Sequence, residues 1–127
     1  MFNLKKNKSI SILSPTAILG YGFPDESLAE GVKHKPDLIA VDAGSIDPGP
    51  YYLGSGKSFT PRHTVKFDLK RLIMAQKELG VKLIIGSAGG AGARPHLDWT
   101  LDIINEISSE IKVPLRICEI AADISHE

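Results

Sequence analysis

The chain has 127 residues, enough for one compact domain, and 43% of them are apolar, so a packed core is expected rather than disorder. Fifteen Lys and Arg offset fifteen Asp and Glu, which supplies no basic field for nucleic acid. No apolar run approaches the roughly 20 residues of a membrane helix. A single cysteine, Cys118, excludes an intrachain disulfide and a multi-cysteine metal site. Lying among Leu115, Ile117 and Ile120, it reads as a buried, inert thiol.

Residues 5–8 read as a solvated lead-in. The lysines before an apolar stretch mimic a secretory signal, but Ser9, Ser11, Ser14 and Pro15 dilute that stretch, and a cytoplasmic location is expected. Residues 9–13 form the first expected strand, stopped by Ser14-Pro15. A short helix follows from Pro24, with Asp25 and Glu26 in its first turn and Gly31 or Pro36 ending it. Residues 37–42, a short apolar run between carboxylates, read as a strand buried on both faces.

The connection from Ala43 to Phe59 exceeds the rough 12–15 residue ceiling for structureless loops. A lid or binding loop fits it; a surface excursion or interface arm is the alternative. A second helix is expected with Thr60 as cap, Pro61 at its first position and Gly80 as its left-handed terminator. Val65, Leu69, Leu72, Ile73 and Leu79 supply its apolar stripe.

Residues 81–85 give a third strand. Pro95 opens a third helix, whose stripe runs through Leu97, Leu101, Ile104, Ile107 and Ile111, with Trp99 off it. The turn at 112–114 leads to a fourth strand over roughly 115–120. The expected class is α/β: a single domain in Rossmann-like β-α-β-α-β-α-β order, built as a three-layer sandwich on an open, mainly parallel sheet. The abrupt polar end after the fourth strand points to the amino-terminal portion of a longer protein, or to a domain completed by association, as in a homo-oligomer.

Three glycine clusters fall at the expected carboxyl ends of strands, the edge where parallel sheets bind ligands. The dinucleotide pattern G-x-G-x-x-G fails in each cluster, meeting Asp25, Phe59 and Pro95 at its sixth position. The phosphate-cradling P-loop fails too: Gly56-Lys57-Ser58 matches its end, but Tyr51 stands where its first glycine belongs. Gly86-Ser87-Ala88-Gly89-Gly90-Ala91-Gly92 allows close ligand approach, and backbone N–H groups there could hold an anion with Arg94 as a charged fork. A tight turn with a solvated Arg94 is the competing reading.

Asp42 either faces the cleft or caps the following loop. His96 and Asp98 offer acid/base chemistry, metal ligation with Asp42, or plain helix-start structure. His63 reads as an anion contact or a solvent-facing helix residue. Tyr21, Phe23, Tyr51 and Tyr52 either line a small organic pocket or pack loops over the sheet.

Taken together, SPTAILGYGFP at 14–24, AVDAGSIDPGPYYLGSGKSFT at 40–60 and IIGSAGGAGARPHLDWTLDI at 84–103 resemble the amino-terminal region of the acyclic terpene utilisation proteins, a group otherwise treated as a domain of unknown function. The resemblance spans most of residues 9–124. It implies a longer chain and a part in branched-terpenoid catabolism, at the coenzyme A stage in one version. It transfers no catalytic set, and Ile46 and Ala93 depart from its pattern.

The leading expectation is therefore a metabolic enzyme, or its ligand-binding region, acting on a small anionic or acyl substrate by a lyase- or hydratase-type step. In it Asp42, His96 and Asp98 serve catalysis. Gly44, Ser45, Ser87, Gly89, Gly90, Gly92 and Arg94 hold the ligand. No cofactor or metal is assigned, and neither nucleic acid nor membrane is an expected partner. The alternative is a noncatalytic metabolite-binding or subunit-assembly domain.

Overall fold

The computed structural model describes residues 9–45 and 47–125; the lead-in at 5–8, Ile46 and His126 lie outside them. In chain order it contains β1 (Ile12–Leu13), α1 (Asp25–Lys33), β2 (Leu38–Asp42), α2 (Pro50–Ser55), α3 (Arg62–Leu79), β3 (Lys82–Gly86) and α4 (Arg94–Ile111), with a single 3₁₀ turn at Ala88–Gly90. The strands form one parallel sheet in the order β1-β2-β3, with Leu13 opposite Ile39 and Ala40 opposite Ile84. The α/β class and the parallel sheet stand.

Several sequence expectations change here. Residues 115–120 make no strand. The chain does return from the end of α4 toward its start, the direction a fourth parallel strand would take, but it is fastened by one backbone bond and one ion pair instead of a ladder. Ala122 N–H donates to the Gly92 carbonyl at 3.0 Å, and Glu119 pairs with Arg94 at 3.1 Å. Pro114 also removes one backbone donor. Cys118 is consequently exposed, not buried.

The second change concerns β2, which is buried on one face only. Ile39 and Val41 sit in the core, whereas Leu38 and Ala40 are half-buried and point the other way. Leu28 of α1, Leu69 and Leu72 of α3, and Ile103 and Ile107 of α4 join Ile39 and Val41 in one cluster. Right-handed crossovers from β1 to β2 to β3 progress in one direction and so place α1 and α3 on the same side. The described residues thus make two layers, not three. The opposite sheet face carries Ile12 at 56% and Ile84 at 53% exposure.

Third, the Ala43–Phe59 connection folds a short helix, α2, started by Pro50 and ended by Gly56 in the left-handed region. Of the other termini, Gly80 closes α3 at φ 67° as its sequence context demands, and its N–H donates to Gln76. Thr60 does not cap α3. Pro61 occupies the N-cap position, and the buried Thr60 bonds Ser58 through their hydroxyls at 3.0 Å. α1 runs through Gly31, because a Cβ there would stand 2.5 Å from the Leu13 side chain: the glycine lets helix and strand approach.

α3 and α4 are each 18 residues long and lie side by side. Their outer seam is laced by Arg62, Glu106, Lys66, Glu110 and Lys70 in an unbroken alternation of charge. Hydrogen bonds from Lys66 and then Arg62 hold the Glu106 carboxyl below its ordinary range, and Lys66 and Lys70 do the same for Glu110.

Candidate functional site: the carboxyl edge of the sheet

Because all three strands are parallel, Leu13, Asp42 and Gly86 end at one edge. The loops that follow them meet there. Leu19 N–H donates to the Asp42 carbonyl at 2.8 Å, and Ala43 N–H to the Gly86 carbonyl at 2.9 Å. A Cβ on Gly44 would stand 2.5 Å from both the Gly90 carbonyl oxygen and the Ser87 Cβ. A Cβ on Gly56 would stand 2.9 Å from the Pro95 Cβ. The glycines therefore let loop pack on loop, and the three clusters form one surface.

That surface has two parts. The first is an exposed polar shelf. Asp42 is solvent-facing, and its Oδ1 accepts the Gly44 N–H at 2.9 Å, so it caps its own loop with one oxygen, while the other meets no donor among the described residues. Ser45 donates to Asp47 at 3.0 Å. Ser87, exposed beside them, adopts φ 47°, ψ 42°. Left-handed backbone at a non-glycine residue costs roughly 1 kcal/mol. Among the described residues Lys35 and Lys112 share that conformation, but both follow the ends of helices. Ser87 alone carries it at the tip of a strand.

The second part is a groove of about 300 Å³ between the first loop and α3. Tyr21, His63 and Phe67 line it. Beneath it Asp68, 1% exposed, accepts the N–H groups of Gly20 at 2.8 Å and Gly22 at 3.0 Å. Arg71 approaches the same carboxylate at 3.6 Å, donates to the Phe23 carbonyl at 2.6 Å and lies 3.9 Å over the Phe23 ring. Sequence reasoning missed both Asp68 and Phe67. The signal was available: Asp68 is a carboxylate inside the apolar stripe of the best-marked helix, where an unpaired charge is costly.

Three expected site residues have other positions. His96 is 1% exposed, and its Nε2 faces the carbonyls of Tyr52 and Lys57, both at 3.2 Å. Two acceptors on one nitrogen mean that Nε2 carries the hydrogen. His96 thus clasps α2 and the segment after it, and Nδ1 is buried with no partner among the described residues. Gly89 makes room for this, since a Cβ there would strike the His96 carbonyl.

Asp98 and Arg94 pair with one another at 2.7 Å, and Glu119 also occupies the guanidinium. Hydrogen bonds to Glu119 and Asp98 raise the Arg94 pKa above its ordinary value. The first N–H of α4 is likewise taken, by Asp123 at 2.9 Å. Asp42, His96 and Asp98 are not gathered as metal ligands: among the described residues no three such side chains group so as to hold an ion. Gly44, Ser45, Ser87, Gly89, Gly90 and Gly92 do lie on the converged loops. No helix among the described residues is long and apolar enough to cross a membrane.

No protein-family model matches the chain, and comparisons with curated proteins and with solved structures return no match.

Proposed function

We propose that this chain is a cytoplasmic metabolic enzyme, or the ligand-binding region of one, that takes a small acidic or acyl substrate at the carboxyl edge of its sheet; the resemblance to acyclic terpene utilisation proteins supports the metabolic class alone. The observation that carries the reading is Ser87: a strained, exposed hydroxyl at the tip of β3, beside Asp42 and above a bed of glycine backbone. Strain of this kind concentrates where a side chain must be aimed. In a lyase- or hydratase-type step, Asp42 moves the proton and the Ser87 hydroxyl steadies negative charge developing on a substrate oxygen. His96 holds the α2 segment in place, and Arg94 reaches an anion only by exchanging Glu119.

The test is titration of the full chain with succinate and with a short acyl-pantetheine, followed by amide resonances. Saturable shifts at Gly44, Ser45 and Ser87 are expected, lost in Ser87→Ala and strengthened for succinate by Asp42→Asn, which removes a like charge. Binding that neither substitution alters would refute the assignment. The alternative, a noncatalytic assembly domain, draws support from the apolar open sheet face with Ile12 and Ile84. It predicts a concentration-dependent dimer in sedimentation that Ile84→Lys abolishes.

A further inference from the structure

The groove above Asp68 differs from the polar shelf in chemistry. Two aromatic rings on separate elements, Tyr21 on the first loop and Phe67 on α3, line the same concavity while 68% and 61% exposed. Burial would normally claim such rings, because each could withdraw 150–250 Å² from water. Here the surroundings hold them outward. Gly20 and Gly22, at φ 98° and 82°, turn the chain on either side of Tyr21, and Asp68 clamps both of their N–H groups. The residue before Asp68 is Phe67, so one buried carboxylate anchors both walls. Phe59 meets the Tyr21 ring edge-on with centroids 6.3 Å apart, and the Arg71 guanidinium lies 5.0 Å from the Phe67 ring centre.

Size and charge narrow the occupant. At about 300 Å³ the groove is at the lower limit of small-molecule sites, enough for a ring but not for a drug-sized ligand. Among the described residues no Lys or Arg lines it, which disfavours a phosphate or carboxylate there. His63 at the rim can bond a ring nitrogen. A Cβ on Gly22 would meet nothing within 4 Å, so space is open beside Tyr21. We propose that this groove binds a flat, neutral heteroaromatic ring of purine size between Tyr21 and Phe67, as the subsite for the non-reacting end of the ligand. That placement rests on the reading of the carboxyl edge as the ligand site.

The test titrates the full chain with adenosine, and with ribose as the ringless control, while amide resonances are followed. Adenosine is expected to give saturable shifts at Tyr21, Gly22 and Phe67, and ribose none. Stacking contributions to a base imply that Tyr21→Ala and Phe67→Ala each weaken binding about fivefold or more. Tyr21→Leu and Phe67→Leu keep the apolar bulk at exposed positions, so they fold, and they should not restore affinity. Absence of saturable shifts, shifts confined to Ser45 and Ser87, or leucine variants that bind as well as the parent would each overturn the proposal. Succinate shifts on the shelf that persist in those cases would leave the acid-binding reading standing.

Discussion

Gly44→Ala is the most direct probe of whether the loops after β2 and β3 meet. Gly44 does not need its glycine for backbone torsion, so the effect of the substitution is steric. The new methyl would lie 2.5 Å from the Gly90 carbonyl oxygen and from the Ser87 Cβ, close to 1 Å inside normal contact. Neither obstacle can rotate away, since one is backbone and the other is fixed to a strained residue. Overpacking of this kind costs about 1–3 kcal/mol. For a chain of this size that lowers the Tm by roughly 4–12 °C. Urea unfolding followed by circular dichroism gives the free energy, with an unchanged slope against denaturant showing that only stability moved. Gly54→Ala is the matched control. A Cβ there meets nothing within 4 Å, and in helix α2 alanine should gain up to about 1 kcal/mol. If Gly44→Ala proves as stable as Gly54→Ala, the two loops do not touch, and the shared surface at the carboxyl edge fails with them.

Other outcomes follow from the same geometry. Asp68→Asn keeps the shape but weakens charge-assisted bonds to Gly20 and Gly22, and should cost about 1.5–3 kcal/mol in urea unfolding while speeding amide exchange at both glycines. Ser87→Gly relieves the left-handed strain and should raise stability by up to about 1 kcal/mol while abolishing ligand shifts on the shelf; a destabilised variant would mean the conformation is not strained. The carboxyls of Glu106 and Glu110 are depressed in the folded state, so their stabilisation is complete above the ordinary carboxylate range and disappears as pH falls through the folded values. Glu106→Gln with Glu110→Gln should flatten the acid limb of the stability–pH curve, most visibly at low salt.

Much of the layout was legible because its signals are local. Gly80 past an apolar stripe ends α3, Pro95 stands in the first turn of α4, and a short apolar run between carboxylates gives β2. Convergence of the glycine clusters followed from one assumption, that the strands run in parallel. What the sequence concealed depends on tertiary partners. Residues 115–120 have strand composition, but Arg94 and Gly92 compete for their ends. His96 looks like a free imidazole at a helix start until the carbonyls of Tyr52 and Lys57 are placed around it. Phe67 was hidden because an exposed aromatic on a helix has no periodic signature.

The sheet face left uncovered by the described residues sets a condition on the chain's behaviour in solution. Register puts Lys82 in the same row as Ile12 and Leu38, on β3, one of the two edge strands, where a positive charge discourages another strand from annealing. That ammonium group places a charge on an otherwise apolar face, so Lys82→Ala is expected to increase concentration-dependent association in sedimentation.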